Sequence, residues 1–188
     1  MDTKTTILVV DDDLFMQDLL KRHLVNQGYS VHTAGGTEAA IELLERFSID
    51  VAISDIMLRG VSGMELVEII EGKTIDVVTV LITGHPTVET ALDALKRGVH
   101  DYLIKPFKLE QLTSVISKGL ESRATRRKIT ELKKELQEAR EELREYEMLV
   151  KHGYLAHAGG GSFSRTAAPD RTMENKLKGY RDIQQSAD

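Results

Sequence analysis

A five-stranded parallel sheet with helices wound on both faces, followed by one long helix, is the architecture this sequence predicts. Three observations predict it. Short apolar runs rich in Val and Ile alternate with helix-length amphipathic stretches, as in βαβ units. Four of those runs end on polar residues of different kinds: Asp11-Asp12-Asp13, Asp55, Thr83 and Lys105. After Phe107 the glycine and proline punctuation thins, and charged residues surround a sparse apolar stripe.

The elements follow in order. Ile7-Leu8-Val9-Val10 belongs to a strand near 6–10, and a helix is expected over Leu14–Asn26. Gly28, just beyond it, suits a left-handed helix end, where glycine carries no Cβ penalty. A strand near 30–34 leads to a helix at Gly36–Glu45, and Val51-Ala52-Ile53-Ser54 forms a strand running into Asp55. A helix at Gly63–Glu71 precedes the strand at 77–82, which runs into Thr83. Pro86–Arg97 reads as a helix closed by Gly98, and Tyr102-Leu103-Ile104 lies in the strand at 101–104, before Lys105-Pro106. A fifth helix starts near Lys108, with Leu109, Leu112, Val115 and Ile116 on its apolar face. Runs that stay apolar along their length indicate strands covered on both faces, as parallel strands are. The class is doubly wound and flavodoxin-like, with ligands expected outside the carboxyl ends of the strands at the topological switch point.

That edge gathers three carboxylates, a hydroxyl and an ammonium. Asp11, Asp12 and Asp55 at neighbouring strand ends repel one another, so their ionised forms call for a cation among them. An all-oxygen set with room for water suits Mg²⁺. An aspartate beside such a cation can attack a phosphoryl group while metal and ammonium neutralise the transferring oxygens. Lys105 would supply the ammonium and Thr83 a hydroxyl donor. The expected chemistry is formation and loss of an aspartyl phosphate. Asp13 reads instead as the N-cap of the first helix.

In these residues the chain from about Thr5 to Glu121 resembles the receiver domain of two-component response regulators, of the chemotaxis-regulator type. The Asp11-Asp12 pair, Asp55, Thr83-Gly84 and Lys105-Pro106-Phe107 carry the resemblance. It implies that Asp55 is phosphorylated by a histidine kinase or a phosphotransfer protein. It also implies that Asp12, Asp55 and the Met57 carbonyl bind Mg²⁺ with help from Asp11, and that Thr83 and Lys105 contact the phosphoryl group. Tyr102 matches an aromatic that changes rotamer on activation, and Lys105-Pro106 matches a cis peptide bond. Arg59 stands where many relatives carry Pro, Ser62 where they carry Asp, and Val99 where they often carry Ala. None of the three is expected to touch the chemistry.

Composition narrows the class further. No apolar stretch is long enough for a membrane span, and the first apolar run is too short for a secretory leader. The absence of Cys excludes disulfides and thiol chemistry, and six scattered His show no zinc spacing. A cytoplasmic protein is expected. Residues 1–117 hold 10 Lys and Arg against 18 Asp and Glu, which argues against nucleic acid as a direct ligand. Arg123, Arg126, Arg127 and Lys128 form the one basic cluster and read as a solvated helix face.

Beyond the receiver, expected over residues 1–121, a helical extension is expected at 122–152. Ile129, Leu136, Leu143 and Val150 occupy one heptad position, and Leu132, Ala139 and Tyr146 the other. Gly119 is a soft spot in the helix, costing about 1 kcal/mol relative to Ala. In a parallel homodimer the flanking pairs would be Lys128 with Lys133, Glu135 with Arg140 and Glu142 with Glu147, two repulsive and one attractive. A homodimer through 122–150 stays narrowly ahead of an antiparallel or heteromeric partner. Residues 153–188 have the composition of a low-complexity linker and a disordered tail, with at most a short helix carrying Leu177, Tyr180 and Ile183.

The functional expectation is a non-enzymatic phosphoacceptor that relays its state through the C-terminal helix. One alternative is a constitutive coiled-coil scaffold headed by the receiver. Another is a haloacid-dehalogenase-type phosphatase using the Asp-x-Asp of Asp11 and Asp13, although Phe15 stands where that family wants Thr or Val.

Overall fold

The structure, a computed structural model, describes residues 4–73 and 75–151, with side chains through Met148. The expected tail, its short helix and the Val150 side chain lie outside the described residues. Five strands, β1 (Thr6–Val10), β2 (Ser30–Ala34), β3 (Val51–Asp55), β4 (Val78–Thr83) and β5 (Asp101–Ile104), alternate with five helices. The helices are α1 (Leu14–Asn26), α2 (Thr37–Arg46), α3 (Gly63–Gly72), α4 (Val88–Lys96) and α5 (Leu109–Lys151). The strands pair in parallel in the order β2-β1-β3-β4-β5. This is the flavodoxin-like order, and its switch point lies between β1 and β3.

Period-two alternation divides the core between the faces. Ile7, Val9, Ile53, Val80 and Ile82 pack with Leu20 and Leu24 of α1 and Leu112, Val115 and Ile116 of α5. Leu8, Val10 and Ala52 pack on the other face with Ala40 of α2 and Leu66 and Ile70 of α3. Leu81 packs with Val67, Ala94 and Val99. Every residue of β3 is buried, as a central strand covered on both faces requires.

The helix ends follow local chemistry. Asp13 accepts from the Phe15 amide at 2.9 Å as the N-cap of α1. Ser62 caps α3 by accepting from the Glu65 amide, a position that Ser fills as well as Asp. Helix α4 begins at Val88 rather than Pro86, because Thr87 and Thr90 form a reciprocal capping box there. Gly28 and Gly98 have φ of +96° and +68°, the expected left-handed positions after α1 and α4. No helix among the described residues is long and apolar enough to cross a membrane.

Gly119 differs from its reading as a soft spot. A Cβ there would collide with Val78 Cγ1 and lie 2.8 Å from His100 Cδ2, so glycine lets α5 approach the starts of β4 and β5. Arg123 also departs from a solvated face. It is 7% exposed, and its guanidinium donates to Asp50 Oδ1 at 2.9 Å and Asp76 Oδ2 at 3.1 Å. Arg127 pairs with Asp76 as well. Beyond them Ile129, Leu132, Leu136 and Leu143 are half exposed, at 48%, 50%, 52% and 56%.

Candidate functional site

Strand register brings the four polar strand ends to one edge. Val10 is opposite Ser54, Asp55 opposite Ile82, and Thr83 opposite Ile104. Asp11, which follows β1, and Thr83, which ends β4, therefore flank the end of β3, and Lys105, which follows β5, reaches it from across β4. The Lys105 ammonium lies 2.6 Å from Asp55 Oδ2 and 2.9 Å from Asp11 Oδ2, joining residues 50 and 94 positions away in the chain. Its backbone N–H donates to the Thr83 carbonyl at 2.7 Å, and the bond to Pro106 is cis, as the resemblance implies.

Both bridged carboxylates are buried, Asp11 at 2% and Asp55 at 7% exposure. Their other oxygens accept backbone N–H groups: Asp13 donates to Asp11 Oδ1 and Met57 to Asp55 Oδ1, each at 2.9 Å. Burial works to lower the Lys105 pKa. Hydrogen bonds to Asp55 and Asp11, with the attraction of both charges, outweigh it and leave the ammonium above its ordinary value. Lys105 is thus a fixed positive charge at the edge.

Thr83 is fully buried, and its hydroxyl accepts from the His85 amide at 3.1 Å. Tyr102 lies second in β5 rather than at its end, opposite Leu81, and its hydroxyl meets Thr90 Oγ1 at 2.9 Å. The capping box of α4 is thereby tied to β5. Asp12 pairs with Arg59, whose Nε donates to Asp12 Oδ2 at 2.9 Å. Arg59 was expected to stay clear of the chemistry; its pairing with a candidate metal ligand corrects that.

Three supporting residues escaped the sequence reading. Gln17, 8% exposed, donates from Nε2 to the Asp11 carbonyl at 2.7 Å. It shares a buried helix face with Leu20 and Leu24, and a polar residue at that spacing was the signal. Gly63 lets α3 start against the phosphoacceptor candidate, since a Cβ there would collide with the Asp55 carbonyl oxygen. The Ser54 hydroxyl donates to that same oxygen at 3.0 Å.

The carboxylates of Asp11, Asp12 and Asp55 and the Met57 carbonyl are the candidate metal ligands. Among the described residues no three His, Asp or Glu side chains close into a ready-made cage. An all-oxygen edge with two buried acids still fits Mg²⁺, which keeps several waters and takes one or two carboxylates. Asp11, Asp12 and Asp55 would carry three negative charges against the two of Lys105 and Arg59, so a further cation is electrostatically favoured.

Residues 7–117 match the family described as the response regulator receiver domain. The nitrogen assimilation regulatory protein NtrX of Azorhizobium caulinodans is 36% identical over 129 residues, covering 68% of this chain and 28% of that protein. A CheY-like receiver domain from Methanospirillum hungatei superposes with a TM-score of 0.64 at 27% identity, over 66% of this chain and 99% of that one. NtrX from Brucella abortus gives 0.65 at 31% identity, over 69% of this chain and 30% of its own. The chain thus spans under a third of the length of these NtrX proteins.

Proposed function

Because this chain belongs to the response regulator receiver domain family, we propose that it accepts a phosphoryl group on Asp55 and relays the resulting state through α5. A histidine kinase or a phosphotransfer protein would be the donor. The observation that carries the reading is the Lys105 ammonium shared by Asp55 and Asp11 at the carboxyl edge of the sheet.

An oxygen of Asp55 attacks the phosphorus of a phosphohistidine, and the P–N bond breaks. The electron pair stays on the leaving imidazole nitrogen, which takes up a proton. Lys105 turns from carboxylate to phosphoryl oxygens, and the Thr83 hydroxyl donates to another. Asp11, Asp12, Asp55 and the Met57 carbonyl would hold Mg²⁺, whose charge offsets that of the transferring oxygens. Water attack at phosphorus would return Asp55. The chain is then a phosphoacceptor whose own chemistry is limited to losing that group. The phosphatase alternative is disfavoured by Phe15, which stands where that family wants Thr or Val.

Movement of Thr83 toward a phosphoryl group opens room for Tyr102 to turn inward, giving up its bond to Thr90 and freeing the start of α4 from β5. Receiver, helical extension and tail divide at about 121 and 152 in this reading. The half-exposed stripe from Ile129 to Leu143, seven-residue period included, supports a second copy of this helix as the partner.

Labelling with phosphoramidate and mapping by mass spectrometry test the acceptor. An adduct on Asp55 is expected that needs Mg²⁺ and disappears in Asp55→Asn; labelling in EDTA at an equal rate would overturn the metal assignment. Sedimentation velocity with and without beryllofluoride tests the relay. A coupling of about 1–3 kcal/mol changes the dimer constant roughly 5- to 150-fold. Equal constants with beryllofluoride bound would favour the constitutive scaffold, which the exposed stripe also supports.

A further inference from the structure

Arg59 lies in the loop between β3 and α3, and the loop is pinned on both sides of it. Before Arg59, the Met57 amide holds Asp55 Oδ1 at 2.9 Å. After it, Gly60 takes a φ of +89°, a turn that side chains rarely adopt, and Val61 offers its carbonyl to Thr37 Oγ1 at 2.9 Å. Thr37 itself is 1% exposed. The loop thus presents Arg59 at the mouth of the acidic edge, where its Nε reaches Asp12 Oδ2 at 2.9 Å. The guanidinium side chain is 88% exposed, and that of Asp12 25%. Lys105 is already committed to Asp11 and Asp55, so Arg59 is the cation of the third carboxylate.

We propose that Arg59 is a built-in counter-cation that competes with Mg²⁺ for Asp12 and so sets the metal affinity of the site. The inference rests on the reading of Asp12 as a metal ligand. With the Arg59 pair intact, an arriving divalent cation meets one net negative charge from the three acids; without it, two. Arginine stays protonated at every working pH, so the competition has no pH escape. It does have a salt dependence, because exposed charges are screened. Exposed pairs contribute about 0.2–1 kcal/mol, roughly 1.4- to 5-fold in a dissociation constant.

Isothermal titration of the full chain with MgCl₂ at low ionic strength tests this. Arg59→Ala should bind Mg²⁺ about 1.4- to 5-fold more tightly than wild type, with the gap closing as salt rises. Arg22→Ala removes an arginine of similar exposure that pairs with Asp18 instead, and it should leave the constant unchanged. Asp12→Asn should weaken binding. Equal or weaker binding by Arg59→Ala, or equal tightening by Arg22→Ala, overturns the proposal while leaving the metal site standing. Wild-type affinity in Asp12→Asn removes the premise itself.

Discussion

At each end of the sheet a cation bridges two aspartates, and the two bridges are built oppositely. At the carboxyl end Lys105 joins Asp11 and Asp55, and the acids are the buried partners, their side chains 3% and 10% exposed. At the amino end Arg123 joins Asp50 and Asp76, and there the cation is buried, at 8%, while the acids are 29% and 45% exposed. Arg123 also donates to the Asp50 backbone carbonyl at 3.3 Å, and Asp50 Oδ2 takes the Thr6 amide at 2.9 Å. One acid therefore links β1, the start of β3 and α5. A planar guanidinium with several fixed donors suits such a joint, whereas an ammonium on a flexible stem can let go of its carboxylates. On the proposed reading, the difference separates a bridge that holds the molecule together from one that exchanges a carboxylate for a phosphoryl group.

The largest effect that would break this contrast comes from removing one acid at each end. Asp50→Asn leaves Arg123 with Asp76 as counter-charge but weakens the charge-assisted hydrogen bonds that Asp50 makes to Arg123 and to the Thr6 amide, and should cost about 1.5–3 kcal/mol. Asp55→Asn removes one of two buried like charges and leaves Lys105 with Asp11, so its cost should stay below about 1 kcal/mol. Urea unfolding of both variants measures the difference. Comparable losses would mean that the carboxyl-end bridge is structural too.

How much of this could be read in the chain differs between the two ends. Asp11, Asp55, Thr83 and Lys105 announce themselves because each closes an apolar run, and parallel register then brings run ends together. Asp13 was legible as a cap from its place before α1. Arg123 was not legible, since nothing in a charged helix says which of Arg123, Arg126, Arg127 and Lys128 meets an acid that precedes a strand. Arg59 was hidden for a related reason: its reach to Asp12 depends on the left-handed turn at Gly60, a conformation no periodicity encodes. Gly119 was legible as a glycine, but the sign of its effect was not, because propensity knows nothing of Val78 and His100.

Gly119 gives the next prediction, of intermediate size, on the helix that carries Arg123. In an open helix Gly→Ala stabilises by about 1 kcal/mol. Here the new methyl meets Val78 and His100, and overpacking costs about 1–3 kcal/mol. Gly119→Ala should therefore lower the unfolding midpoint, with a net loss of up to about 2 kcal/mol, and labelling of Asp55 should persist. A rise in the midpoint would show that α5 is free to shift outward, and the amino-end bridge would then be a looser joint than its geometry states.

The smallest effect is the pH dependence that Asp76 contributes at the amino end. Burial works to raise the Asp76 pKa, but hydrogen bonds from Arg127 and Arg123, with the attraction of both charges, outweigh it and hold the carboxyl below its ordinary value. A carboxyl whose pKa is depressed by folding contributes stability above its unfolded pKa, about 3.9, and loses it as pH falls through the folded value. With Asp76 substantially exposed, solvent screening keeps that contribution below about 1 kcal/mol. Asp76→Asn should thus be slightly less stable than wild type at neutral pH, and the gap should close once the pH drops below the ordinary carboxylate range. Urea midpoints of the two proteins across that range provide the measurement. A gap that persists in acid would assign the loss to packing of the side chain, leaving Asp50 as the sole charge partner that matters for Arg123.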